Sequence, residues 1–287
     1  MISGKGGTGK TTVAASFAAL ARNSVLADCD VDAPDLGLVL KPEVRHQEAF
    51  IGGRLARIDE ARCGQCGRCR EVCHFAAVTV ELKIDEIACE GCGACMLACP
   101  NEAIAMEEIP CGQWFQGETP YGPLVFARLG AGQENSGKLV TWVRQQARRL
   151  AQERGADLIL IDGPPGIGCP VIASLGGTHL AVVVTEPTRS GRHDLERVLG
   201  VCRHFGVPAV VAVNKADLNP QVTEEITSYC RANGLEMIGE VPFDPAVVHS
   251  VVQTVPLVEY DKGPAAQAVR ELWERLQEGE EPCGKLC

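Results

Sequence analysis

Aromatic residues are scarce, with three Trp, three Tyr and seven Phe making 5% of 287 residues. No apolar run approaches the roughly 20 residues that a membrane-spanning helix needs, which excludes that class of anchor. A charged n-region followed by an apolar stretch is also lacking, because Met1 leads almost directly into a Gly-rich loop; a secretory signal is therefore not expected. Positive charge is in deficit, with 27 Lys and Arg against 37 Asp and Glu and a net charge of −10. Such a surface suits neither a nucleic-acid backbone nor an anionic membrane, both of which require clustered Lys and Arg. The acidic stretch after the last expected helix (Glu278, Glu280, Glu281) is likewise unlike a basic, amphipathic membrane-targeting tail.

Cysteine is abundant instead, with 15 residues, beside 31 Gly and 17 Pro. The densest eight lie between Cys63 and Cys99 at cluster-ligand spacing. Without an export signal, these are read as thiolates held on metal in a reducing cytoplasm rather than as disulfides.

Outside that segment the pattern alternates strand and helix. Strands are expected at Val25–Ala27, Leu124–Arg128, Leu158–Ile161, Leu180–Thr185, Ala209–Val213 and Glu236–Gly239. Helices are expected at Val13–Ala21, Lys138–Arg154, Gly191–Phe205, Thr223–Asn233 and Pro264–Gln277. This alternation predicts an α/β fold with a doubly wound, mostly parallel sheet. Residues 1–53 and 112–287 are expected to form its discontinuous main domain, and 54–111 an inserted small α+β module. Only Met1 and Ile2 precede the Gly-rich loop, where a buried strand usually has about 5–6 residues. Either the true start lies upstream or the first strand is stunted.

Gly4-Lys5-Gly6-Gly7-Thr8-Gly9-Lys10-Thr11 fits the phosphate-binding pattern G-x-x-x-x-G-K-S/T, with Thr12 opening the helix that follows. Glycines let backbone N–H groups approach phosphate oxygens closely. Lys10 is expected on the β and γ phosphates, and the Thr11 hydroxyl on Mg²⁺. Leu158–Ile161 reads as a buried strand ending at Asp162, a second Mg²⁺ contact, and Gly163 and Gly166 follow as backbone sensors of the γ phosphate. Asn214-Lys215-Ala216-Asp217 ends another apolar strand. Its N-K-x-D form is also the guanine-reading pattern, so the base needs a separate argument.

Cys63, Cys66, Cys69 and Cys73 follow C-x₂-C-x₂-C-x₃-C, and Cys89, Cys92, Cys95, Cys99 and Pro100 repeat it with the terminal Pro. Zinc sites use paired C-x₂-C knuckles rather than such triads. The doubled run resembles bacterial ferredoxins with two 4Fe–4S clusters, in which the fourth Cys of each run serves the other cluster. That resemblance assigns Cys63, Cys66, Cys69 and Cys99 to cluster 1, and Cys89, Cys92, Cys95 and Cys73 to cluster 2. Gly64, Gly67, Gly91 and Gly93 let the chain wrap there. His74 stands where the first run's Pro would be and removes no ligand.

The loop form Lys5-Gly6-Gly7-Thr8-Gly9-Lys10-Thr11, with Asp28-Cys29-Asp30-Val31-Asp32 and Asp162-Gly163-Pro164-Pro165-Gly166, resembles the MinD/Mrp/ParA ATPases, a group that includes the nitrogenase iron protein. The resemblance implies a homodimer sandwiching nucleotide, with Lys5 on phosphates across the interface and Asp30 orienting the attacking water. It implies Asn214 reading the base beside Pro242 and Phe243, and ATP rather than GTP. Cys169 lies seven residues after Asp162, the spacing of the iron protein's cluster ligand, which suggests an interface metal site; a small buried hydrophobe is the plainer alternative. Cys283 and Cys287 form a terminal C-x₃-C that is either metal-binding or a tail. Two functions are consistent with these residues. One is an ATPase coupling dimer switching to electron transfer or metal–sulfur cofactor assembly on a partner protein. The other is a MinD-like positioning ATPase with redox-sensing clusters.

Overall fold

The computed structural model describes residues 1–130 and 136–278. In chain order the first elements are α1 (Lys10–Leu20), β1 (Ser24–Asp28), α2 (Leu36–Leu40) and β2 (Glu43–Ile58). Two short helices, α3 (Arg68–Glu71) and α4 (Ala94–Ala98), precede β3 (Ile104–Thr119) and β4 (Gly122–Leu129). Then come α5 (Ser136–Arg154), β5 (Leu158–Asp162), α6 (Cys169–Leu175), β6 (Ala181–Thr185), α7 (Arg189–His204) and β7 (Ala209–Asn214). The last elements are α8 (Pro220–Ala232), β8 (Glu236–Val241), α9 (Pro245–Gln253), α10 (Leu257–Tyr260) and α11 (Pro264–Glu278).

Strands pair in the orders β2-β3-β4-β1-β5 and β6-β7-β8. The β1–β4, β1–β5, β6–β7 and β7–β8 ladders are parallel. The stub Met1–Ser3 joins the two sets. Ile2 N–H donates to Val182 O at 3.0 Å, Val184 N–H to Ile2 O at 2.9 Å, and Gly163 N–H to Met1 O at 2.8 Å. Three residues thus do the work of a strand, because both flanking edges are already in place.

Alternation along β6 and β7 explains the layers. Val182, Val184, Val210 and Ala212 pack on one face with Phe17, Leu257, Val269 and Leu272, from α1, α10 and α11. Val183, Val211 and Val213 pack on the other with Val171, Leu195, Val198 and Ile226, from α6, α7 and α8. Burial of each such side chain stabilises by about 1.5–3 kcal/mol. Caps fix the helix starts: Thr188 accepts from Gly191 N–H, Asn219 from Val222 N–H, and Asp244 from Ala246 N–H.

The chain divides into two compact units. The first comprises Met1–Gln47, Trp114–Arg128 and 136–278, and the second Glu48–Gln113 with Leu129 and Gly130. Positions 54 and 111 therefore fall inside β2 and β3, two 16-residue strands that the periodicity did not announce. Helices α2, α6, α9 and α10 are also additional to the expected set. The second unit has its own small core of Ala56, Cys69, Val78, Cys95 and Ile104. It is internally repeated: left-handed backbone recurs at Gln65 and Gly91, Gly67 and Gly93, and Ala76 and Glu102, each pair 26 residues apart. At Gly91 the φ is +62°, and a Cβ would stand 2.2 Å from Arg54 O, so only glycine fits.

Candidate functional site

In the first unit, parallel pairing places Asp28 opposite Asp162 at the carboxyl ends of β1 and β5, where open sheets meet ligands. Between Ile2 and α1 the Gly-rich loop turns over these ends. Gly9, at φ +88°, precedes the helix, and a Cβ there would meet Asn214 Nδ2 at 2.2 Å. Lys10, the first residue of α1, is 6% exposed, and its Nζ lies 2.7 Å from Asp162 Oδ1 and 3.4 Å from Thr11 Oγ1. Burial opposes the Lys10 charge, but Asp162, with Asp28 and Asp30 behind it, more than offsets this and raises its pKa. Lys10, Thr11 and Asp162 are thus gathered at one point. Asp162 Oδ2 and Thr8 Oγ1 are buried without a hydrogen-bond partner. Two unpaired oxygen atoms and a buried ammonium are a donor set that suits a hydrated Mg²⁺ and phosphate.

Asp28 is fully buried. Its Oδ1 accepts from Asp30 N–H at 3.1 Å and its Oδ2 from Leu36 N–H at 3.0 Å, tying both ends of the intervening loop. Desolvation, reinforced by Asp162, pushes its pKa well up, against the pull of Lys10. Asp30 sits in that loop, with Oδ1 accepting from Ala33 N–H at 3.3 Å; burial raises its pKa too.

Lys5 lies at the carboxyl end of β6. Its Nζ is 2.6 Å from Glu186 Oε1 and 3.1 Å from both Thr188 Oγ1 and Ser190 Oγ. Lys215 Nζ takes the other Glu186 oxygen at 2.9 Å and also donates to Gly7 O at 3.0 Å. Against the cost of partial burial, these two lysines hold Glu186 below the usual carboxylate range. Glu186, Thr188 and Ser190 were missed in the sequence reading; their signal was their place just after an apolar parallel strand.

The remaining expected residues brace the loop as well. Asn214 Nδ2 donates to Thr8 O at 2.8 Å, and its Oδ1 accepts from Lys215 N–H at 3.0 Å. Asp217 Oδ1 accepts from Phe243 N–H at 2.6 Å, fixing the Pro242–Phe243 turn, where Phe243 is 49% exposed. Gly166 N–H donates to Ser3 O at 2.8 Å, so a phosphate reaching it would have to displace that carbonyl. Cys169 is exposed as the first residue of α6, whereas Cys29, Cys202 and Cys230 are buried. Cys283 and Cys287 lie outside the described residues.

In the second unit the eight thiols sort into two cavities. One is lined by Cys63, Cys66, Cys69 and Cys99 with Ile58, Leu82 and Ile104. The other is lined by Cys73, Cys89, Cys92 and Cys95 with Val78, Ile84 and Met106. Backbone N–H groups point at sulfur: Ala77 at Cys73 Sγ and Ala103 at Cys99 Sγ, each at 3.3 Å. Among the described residues no group of three or more His, Cys, Asp or Glu converges to hold a single metal ion. Four thiols around an apolar hollow with N–H donors to sulfur instead suit a multinuclear group.

A family described as the CobQ/CobB/MinD/ParA nucleotide binding domain matches residues 1–257. The chain belongs to this family. It is 32% identical over 281 residues to an uncharacterized protein of Methanocaldococcus jannaschii, covering 97% of this chain and 95% of that one. It is 27% identical over 154 residues to an iron-sulfur cluster carrier protein of Pyrococcus horikoshii, covering 49% of this chain and 52% of that one. Its fold is similar to that of the septum site-determining protein MinD complexed with Mg-ADP from Pyrococcus horikoshii, with TM-score 0.59, 18% identity and coverage of 99% and 98%. No helix among the described residues is long and apolar enough to cross a membrane.

Proposed function

We propose that this chain is an ATP-hydrolysing iron–sulfur protein that couples a nucleotide-driven homodimer switch to electron transfer, or to metal–sulfur cofactor assembly, on a partner protein. The observation that carries this reading is the sorting of eight cysteines into two four-thiol cavities, crossing between runs, in a chain whose phosphate loop sets Lys10 against Asp162. The matches to iron-sulfur cluster carrier proteins support the same direction.

In hydrolysis, backbone N–H groups of Gly6 to Thr11 and the Lys10 ammonium hold the β and γ phosphates. Lys10 then exchanges its Asp162 contact for phosphate oxygen. Thr11 and, through water, Asp162 would hold Mg²⁺, which would supply charge neutralisation. Asp30 orients the attacking water, whose oxygen forms a bond to Pγ while the bond from Pγ to the bridging oxygen of ADP breaks. Lys5, released from Glu186, meets the phosphates of the partner copy. Cys63, Cys66, Cys69 and Cys99 would hold one 4Fe–4S cluster, and Cys73, Cys89, Cys92 and Cys95 the other; these would supply one-electron chemistry when bound.

The test is an EPR-monitored redox titration of anaerobically purified full chain, with and without Mg-ATP, alongside iron, sulfide and phosphate-release assays. Two clusters per chain, ATP turnover and a nucleotide-dependent shift in potential are expected. A chain that binds no iron, or whose potentials ignore ATP, overturns the coupled reading. ATP-dependent cosedimentation with liposomes or DNA would favour a positioning role instead.

A further inference from the structure

The 26-residue repeat of the second unit places equivalent residues in equivalent settings that match in most respects except charge. Cys69 and Cys95 are each 8% exposed, and Cys66 and Cys92 are both exposed. The N–H···S contacts to Cys73 and Cys99 are both 3.3 Å. Exposure and hydrogen bonding to sulfur, two of the levers on a cluster potential, are therefore balanced between the halves.

Charge is not. Gly64, Arg68 and Arg70 of the first run stand where Glu90, Ala94 and Met96 stand in the second. Glu90 is the one charged residue among those lining either cavity, and it lines that of Cys89. Arg68 and Arg70 flank Cys69 of the other cavity, and Glu71 ends the same helix, so two guanidinium groups stand there against one carboxylate where the second run has Ala94, Met96 and Leu97. An added electron is repelled by a nearby carboxylate and attracted by a guanidinium.

We propose that Glu90, Arg68 and Arg70 make the two redox sites inequivalent, the Cys63 cavity taking the higher potential and the Cys89 cavity the lower. This rests on the iron–sulfur reading above and adds a direction to it. One electron, supplied by an external one-electron reductant, leaves the centre held by Cys73, Cys89, Cys92 and Cys95, which is oxidised. It arrives at the centre held by Cys63, Cys66, Cys69 and Cys99, which is reduced; no bond or proton moves.

The test is an EPR-monitored potentiometric titration of the full chain with dithionite as reductant. Wild type, Glu90→Gln and the double variant Arg68→Ala/Arg70→Met are compared; the latter introduces the residues of the second run. Two waves are expected in wild type. Glu90→Gln should raise only the lower wave, and the double variant should lower only the upper one, so each narrows the gap. Coincident waves in wild type, or a Glu90→Gln change that moves the upper wave or neither, overturns the proposal. Iron and sulfide assays of the same samples separate the failures: too little iron in wild type sinks the iron–sulfur reading, whereas full loading with unmoved waves sinks only the polarity.

Discussion

The ammonium of Lys5 lies 2.6 Å from Glu186 Oε1 within one chain, while Lys215 holds the other oxygen of the same carboxylate at 2.9 Å. Lys5 is thereby turned toward its own β6 end rather than outward. If it serves a second copy, this ion pair must open first. Lys5 is 27% exposed and Glu186 15%, so solvent screening keeps the pair to about 0.2–1 kcal/mol. Glu186→Gln should therefore lower the ATP concentration for half-maximal dimerisation by a factor of about 1.4–5. Light scattering across an ATP series measures this; unchanged or weakened dimerisation would show that Glu186 does not restrain Lys5.

Lys10 and Asp162 form a buried pair, 6% and 1% exposed. Lys10→Ala should abolish ATP hydrolysis and leave a buried carboxylate uncompensated, costing about 3–5 kcal/mol. Replacing both, as Lys10→Met with Asp162→Leu, should recover most of that stability without recovering turnover. Urea unfolding and phosphate release on the three proteins separate the two roles. Turnover in either variant would remove Lys10 from the site.

Much of the first unit was legible because its strands are buried on both faces. The runs centred on Val183 and Val211, expected as Leu180–Thr185 and Ala209–Val213, appear as Ala181–Thr185 and Ala209–Asn214. β2 and β3 were not legible. Along β2 the first seven residues are all exposed and the sequence mixes Arg, His, Gln and Glu with few apolar positions, so no face shows a period-2 stripe. Helix α9 was hidden by its β-branched run Val247-Val248-His249-Ser250-Val251-Val252, which lowers helix propensity. Its start was signalled by Asp244 as cap and Pro245 at the first position. The Gly-rich loop and the cysteine spacing were plain because each motif is local. Glu186 was not, because its partners Lys5 and Lys215 lie 181 and 29 positions away.

Cys92 lines the second cavity and has no structural part in the first. Cys92→Ser should therefore reduce iron and labile sulfide by about half, with one EPR signal lost and the other kept. Retention of the full iron content would contradict the ligand set, and loss of all iron would show that the two cavities load only together.

Asp28 offers a pH dependence whose sign is fixed by its burial. Its pKa is raised well above the usual value, first by desolvation and then by Asp162, with Lys10 opposing. The folded state thus binds a proton that the unfolded chain releases above about pH 4. Stability from this group is fully present below that unfolded value and falls as pH rises toward the folded one. In Asp28→Asn no such proton exists, so the loss with pH disappears. The amide also presents one N–H where Asp30 and Leu36 both donate, costing about 1–3 kcal/mol at low pH. The stability advantage of wild type over Asp28→Asn should therefore shrink as pH rises above the unfolded value of about 4, as read by thermal or urea unfolding. A constant or growing gap would mean that Asp28 stays ionised in the fold, held so by Lys10 and the two backbone donors.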